Sequence, residues 1–442
     1  MSLDQASTQA AAAAGAQAQE LLRELIRINT VNPPGNERPA SEHVAELLRE
    51  AGFECELLGA EPERPNLIAR LRGAEPGPTL CYLGHLDTVL ADPAEWTHDP
   101  WSGDLAEGFI WGRGALDMKS QVAAEVAAAA SLAREGWRPA AGELLLVAVV
   151  DEETGGSLGA RWLTTTHPEK VRCDLLINEG GGSLFEVPGR RCYPVCCAEK
   201  GVFRFTITTE GVAGHASMPG MGVNALLKMA PVLERLGQRQ PAYHLTSEAR
   251  ELLSGVGEDP DDPAGAVARL RASDPRLAIM FEPMLGVTFT PTRISASEKV
   301  NVIPSRAELK VDCRVPPGLG EEEVRAGIAE VLGEDGFRVE FTERVVGNRS
   351  PTQTELMEHI SEWVSEQDPG AQAVPFMLPG FTDSRHFREA FPECIAYGFC
   401  PERHMTLLES APLIHGADER IDVRDLALAT DFFRALADRV LG

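Results

Sequence analysis

The sequence predicts an α/β protein whose main domain carries a mixed, mostly parallel sheet flanked by helices and is interrupted by a separate α+β domain. Three observations lead there. Residues 144–150 are seven consecutive apolar residues rich in Val and Leu, too short for a buried helix, and read as a strand buried on both faces. Other short apolar runs alternate with helix-period segments, as in βαβ units. From about residue 199 to 345 the order changes to strand, helix, two strands, helix, strand, which reads as an antiparallel sheet with helices on one side.

Taken in order, an Ala/Gln-rich leader reads as loose, and Leu21, Leu22, Leu25, Ile26 and Ile28 recur at helical spacing before Asn32-Pro33-Pro34-Gly35 stops the helix. A helix over 40–51 closes at Gly52, and strands follow over 53–58, 66–71 and 79–88. An Ala-rich helix spans 119–133, suited to tight packing on a sheet. After the 144–150 strand comes another over 173–178. Within the interruption, strands are predicted over 202–208, 285–295, 307–314 and 337–343, with helices over 224–236 and 321–332. Residues 241–283 are polar, rich in Asp and Pro, and read as an insertion without an assigned role. A helix over 354–366, a strand over 394–399 and a final helix over 425–441 resume the first pattern.

Composition narrows the function. The chain has 442 residues, 43% hydrophobic and 24% charged, with a formal net charge of −26. That charge argues against nucleic acid or an anionic membrane as a partner. No apolar run approaches the ~20 residues that a membrane span needs. The nine cysteines are scattered without a paired framework, which fits reduced thiols in a cytoplasm, and the first residues lack the basic start of a signal peptide.

The chemistry-bearing residues collect at predicted strand ends. In open α/β sheets, ligands bind beyond the carboxyl ends of strands. Here His85 and Asp87, Asp117, the run Asp151-Glu152-Glu153, and Glu179 ahead of three glycines stand at or near such ends. Crowded carboxylates repel unless a cation or proton intervenes. Each has a plain alternative: Asp117 as the N-cap of the helix after it, and the acidic run as a helix start. Two imidazoles with several carboxylates and no cysteine fit one or two zinc ions held by mixed nitrogen and oxygen ligands.

The motifs GHLDT, GRGALDMKS, VVDEETGG, NEGG, GHASMP, NVIP, TDSRHF and HGADER, in this order, resemble the di-zinc metallopeptidase family of aminoacylases, acetylornithine deacetylases and glutamate carboxypeptidases, and the resemblance extends from about residue 20 to the C-terminus. The last two look most like its carboxypeptidase S branch. The resemblance implies a catalytic domain made of residues 1–198 and 346–442, with 199–345 as a lid and dimerisation domain. It makes His85 and Glu179 ligands of one zinc, Glu153 and His415 ligands of another, and Asp117 the bridge between them. Glu152 becomes the general base and Asp87 the residue that orients His85. A cis peptide is expected at Asp117-Met118. Asn301 and Arg314, with Arg385 as a further candidate, would bind the substrate's carbonyl and carboxylate, and His215 would reach the active site of a partner subunit in a homodimer.

The implied activity is hydrolysis of N-acyl amino acids or dipeptides next to a free carboxylate, by a water shared between two zinc ions per subunit, with cobalt or manganese as substitutes. An acetylornithine-type deacetylase is the alternative within enzymes. A non-catalytic binding protein on the same scaffold is the alternative outside them.

Overall fold

The computed structural model describes residues 3–442, so the first two residues of the leader lie outside it. The chain divides into two compact units: residues 3–197 with Ser350–Phe376 and Thr382–Gly442, and Ala198–Arg349 with Met377–Phe381.

The first unit is built on a sheet whose strands run in the order Glu54–Leu58, Asn66–Arg72, Ala141–Val149, Glu75–His85, Leu175–Asn178, Ile395–Gly398 and Arg190–Glu199. The central four are mutually parallel and the flanking pairs antiparallel. Ala141–Val149, expected to be a strand of a parallel sheet, is parallel to Glu75–His85 on one side and antiparallel to Asn66–Arg72 on the other. Burial on both faces is the same in either case, so the apolar run could not distinguish them. Alternate residues Leu145, Val147 and Val149 join a core with Ile68, Leu83, Leu163 and Phe387. Leu146 and Ala148 face the opposite side, beside Val122 and Val126 of the Lys119–Arg134 helix.

That helix is buried at 14 of its 16 positions. It packs between the helices Leu3–Arg27 and Val423–Leu441, and its alanines keep the backbones close without side-chain crowding. The leader is thus helical from Leu3 rather than loose, as the high intrinsic helix propensity of Ala allows. Asp117 does not cap Lys119–Arg134. Met118 occupies that position without a side-chain cap bond, and the Asp117-Met118 peptide is cis.

The second unit has an antiparallel sheet in the order Thr288–Ser295, Arg306–Val315, Phe205–Glu210 and Arg338–Phe341. Along Arg306–Val315, Ala307, Leu309, Val311, Cys313 and Val315 are buried while their neighbours are more exposed, so one face is covered. Helices Ala225–Gln238 and Glu321–Leu332 cover it through Met229, Val232, Leu236, Val324 and Ile328. The insertion forms three helices, Ser247–Gly255, Pro263–Ser273 and Pro275–Phe281, around a small core of their own.

Candidate metal centre

The parallel strands deliver their ends to one place. His85 closes Glu75–His85, and Glu179 follows Leu175–Asn178 directly. Asp117 comes from the loop ahead of the Ala-rich helix, Glu152 and Glu153 from a 3₁₀ turn Glu152–Thr154 after Ala141–Val149, and His415 from a loop before the last helix.

Two sets of donor atoms converge. His85, Asp117 and Glu179 form one, and Asp117, Glu153 and His415 the other, each with ligand atoms within 4.8 Å of one another. Asp117 belongs to both. Its Oδ1 lies 3.0 Å from His85 Nε2 and its Oδ2 3.0 Å from His415 Nε2. His415 Nε2 is 3.2 Å from Glu153 Oε2, and His85 Nε2 is 3.8 Å from Glu179 Oε1. Tetrahedral zinc bonds of about 2.0 to 2.2 Å imply ligand atoms roughly 3.3 Å apart, the same range. The residues therefore fit two ions. One detail strengthens the fit: Oε1 of Glu153 is buried with no hydrogen-bond partner, which is costly for a carboxylate unless a cation compensates it.

The electrostatics express the same demand for positive charge. Burial and the nearby Glu179 carboxylate push Glu152 well above the usual carboxylate range, and burial with Asp117 pushes Glu179 up as well. Burial works against the charged form of Asp117, but bonds from His415 and His85 hold it below its ordinary value. Bonds to Asp117 and Glu153 raise His415 to about 10. The cluster retains protons that cations would displace.

Glu152 belongs to neither donor set. Its position is fixed through the backbone: Asp87 Oδ1 accepts from Glu152 N (3.1 Å) and Asp87 Oδ2 from Glu153 N (3.2 Å). His85 Nδ1 meets the main-chain carbonyl of Asp87 at 3.0 Å, whereas the Asp87 carboxylate is 3.6 Å away. Asp87 thus ties the His85 strand end to the Glu152–Glu153 turn, and its peptide oxygen is what orients the imidazole.

Asp151 points away from the donor sets. It adopts a left-handed backbone (φ +71°) and accepts from Ser157 Oγ (2.9 Å), Leu158 N (3.1 Å), Asn32 Nδ2 (3.2 Å) and Arg64 Nη1 (3.3 Å). Arg64 also donates twice to the buried Glu37, and Asn32 donates to Asp87 Oδ2 at 2.9 Å. This buried network under the turn was invisible in sequence, because its members are isolated residues far apart in the chain. His386, ambiguous in sequence, is buried beside the same turn. Burial and the neighbouring Arg385 lower it to about 4, leaving it neutral, and it bonds the Gly155 backbone.

The substrate candidates separate. Arg385 stands on the short helix Ser384–Ala390 of the same unit as the donor sets. His215, Asn301 and Arg314 belong to the other unit. There, Gly214–His215 pairs with Val302–Ile303, and Ala216 N donates to Asn301 O at 3.0 Å, so His215 and Asn301 are neighbours. His215 is exposed, with Nδ1 2.7 Å from Ser217 Oγ. Arg314 lies elsewhere in that unit and donates through Nε to Asp312 at 2.7 Å.

Residues 81–439 match the family described as Peptidase family M20/M25/M40. A succinyl-diaminopimelate desuccinylase of Cereibacter sphaeroides is 29% identical over 92% of this chain and 94% of its own length. A probable carboxypeptidase S-like protein of Dictyostelium discoideum is 26% identical over 80% of this chain and 70% of its own. Among solved structures, the M20 family metallo-carboxypeptidase Sso-CP2 from Sulfolobus solfataricus superposes with a TM-score of 0.68 at 17% identity, covering 95% of this chain and 98% of its own. That likeness is one of fold.

Proposed function

This chain belongs to Peptidase family M20/M25/M40, and from that premise we propose that it is a di-zinc hydrolase of N-acyl amino acids or dipeptides with a free carboxylate beside the scissile amide. The observation that carries the reading is the pair of donor sets sharing Asp117, with Glu152 a member of neither and its charged neighbours Glu179, His85 and Asp117. His85, Asp117 and Glu179 would hold one ion and Asp117, Glu153 and His415 the other.

Bound there, the ions would make a water more acidic and polarise the scissile carbonyl. The chain's own residues do the rest. Glu152 accepts a proton from the attacking water as its oxygen bonds to the carbonyl carbon, then passes that proton to the amide nitrogen as the carbon–nitrogen bond breaks. Asp87, holding Glu152 N and Glu153 N, keeps base and ligand in fixed relation. Of the two candidate arginines, Arg385 shares a unit with the centre and is proposed to receive the carboxylate, a task suited to a planar guanidinium. Arg314 and Asn301 are proposed to contribute from the second unit, with Arg314 exchanging Asp312 for substrate.

We infer that the protein acts as a homodimer in which His215 serves the partner's site. Exposed Leu226, Leu227, Val300 and Val302 line an apolar surface in the second unit beside the His215 strand pair. Such a patch on a soluble unit is suited to burial against a second copy. The nine cysteines form no disulfide, consistent with a cytoplasmic setting. No helix among the described residues is long and apolar enough to cross a membrane.

Within that proposal, the similarity to a desuccinylase over nearly its whole length favours removal of an acyl group from an amino acid over dipeptide cleavage. Assaying N-acetyl and N-succinyl amino acids, dipeptides and their carboxamides, with zinc or cobalt, separates them. A free acid hydrolysed much faster than its carboxamide supports the proposal. Equal rates would contradict carboxylate recognition.

A further inference from the structure

We propose that Glu419 and Arg113 form a clamp that assembles the second donor set, and so decide whether the protein holds two ions or one. The proposal rests on the dinuclear reading above and adds two positioning residues to it.

The two donor sets are supported differently. His85 and Glu179 ride on neighbouring strands, paired along Leu80–Leu175 to Tyr82–Ile177, so the sheet itself fixes them. His415 itself lies on no strand: the pairing of Arg420–Asp422 with Phe109–Trp111 and the bond from Gly112 N to Glu419 O (2.9 Å) begin only beyond it in the chain. Its side chain is 51% exposed, and it stands in a loop with a left-handed backbone (φ +61°). Between His415 and that pairing, the loop has still to be held against the one that carries Asp117.

Glu419, four residues further on and fully buried, does so. Its Oε1 accepts from Leu116 N (2.6 Å) and Asp117 N (3.0 Å), and its Oε2 from Gly114 N (3.1 Å) and Arg113 Nη1 (2.5 Å). Arg113, 2% exposed, returns the connection through Nη2 to the carbonyl oxygens of His415 (3.3 Å), Gly416 (2.9 Å) and Leu90 (3.3 Å). The loops of Asp117 and His415 are thereby closed into one ring of hydrogen bonds. Four N–H donors on one carboxylate also require that it be an acceptor at both oxygens. An amide at this position would turn its NH₂ group against two of those donors.

The first donor set shares only Asp117 with this ring, and the strands still present its two other members. Loss of the clamp therefore weakens the second ion selectively. Removing groups that orient metal ligands typically costs ~10- to 100-fold in metal affinity.

The test is a zinc titration of metal-free, full-length protein against a competing chromophoric chelator, with the thermal melt recorded in parallel. Wild type is expected to bind two ions. Glu419→Gln is expected to bind the first with nearly wild-type affinity and the second ~10- to 100-fold more weakly. Arg113→Lys should show the same pattern, because one ammonium cannot span Glu419 and the His415 and Gly416 carbonyls, and it serves if Glu419→Gln does not fold. Two ions bound as in wild type, or both weakened alike, overturn the proposal. So does a failure of both variants to fold, which would make the pair a general stabilising element. Wild type binding fewer than two ions would instead sink the dinuclear reading itself.

Discussion

Replacing Arg64 by Ala should destabilise the first unit and slow turnover together. Arg64 donates to Glu37 through Nε (2.9 Å) and Nη2 (2.5 Å), and Glu37 has no exposed surface. The truncation leaves Glu37 as an unpaired buried carboxylate, a defect that costs ~3 to 5 kcal/mol. The lost bond to Asp151 adds little, because Thr154, Ser157, Leu158 and Asn32 still donate to that carboxylate. At roughly 2 °C per kcal/mol for a unit of this size, the melting temperature should fall by about 6 to 10 °C. kcat should fall as well, because the unpaired Glu37 carboxylate repels Asp87, the carboxylate that holds Glu152 N. The double variant Glu37→Gln/Arg64→Met is the control. It removes both charges, and replacing a buried pair by neutral groups is often close to neutral. Urea unfolding of wild type, the single variant and the double variant measures this. A loss under ~1 kcal/mol for Arg64→Ala, or a double variant as unstable as the single one, would refute the reasoning.

Asp87→Asn sets an amide NH₂ against N–H groups that now donate to the carboxylate. It should cost ~1 to 3 kcal/mol in unfolding free energy and lower kcat more than KM changes, as steady-state kinetics would show. Gly398→Ala should weaken metal binding, because a Cβ there would run into the carbonyl oxygen of Glu179 across the parallel pair Ile395–Gly398 and Leu175–Asn178. Chelator competition reads the effect, and unchanged affinity would count against it. Lys200, in the second unit, is lowered to about 7 by burial, with Nζ on the carbonyls of Pro283 (2.7 Å) and Gly286 (2.6 Å). The unfolded chain keeps that proton up to about pH 10.4. Between those values the unfolded state binds more protons, so the lysine's contribution should make wild type more stable relative to Lys200→Met as pH rises from about 7 to 10. A stability difference that is flat across that range would contradict it.

Much of the centre was legible because its members stand where a strand stops, and a stop is visible in sequence as an apolar run meeting a charge. His85, Glu152, Glu153 and Glu179 are of this kind. Other features were readable but missed. The insertion's helices announce themselves by Asp262-Pro263 and Asp274-Pro275, an N-cap followed by Pro at the first helical position, with Thr246 capping the helix before them. The strands Arg190–Glu199 and Ala371–Leu378 carry Cys, Pro, Gln and Ala among their apolar residues and lack a clear period. What no pattern could show is the packing that makes Arg64, Glu37, Asn32 and Asp151 one network, or Arg113 and Glu419 one clamp. Those pairings exist only once the strands have brought distant loops together.

The central claim is tested most directly by a crystal of zinc-loaded protein measured at the zinc absorption edge. Two anomalous peaks should appear per subunit, one among His85, Asp117 and Glu179 and the other among Asp117, Glu153 and His415, and both should persist in an inactive Glu152→Gln variant. A single peak, a peak away from Asp117, or a Glu152→Gln variant that loses an ion would contradict the account.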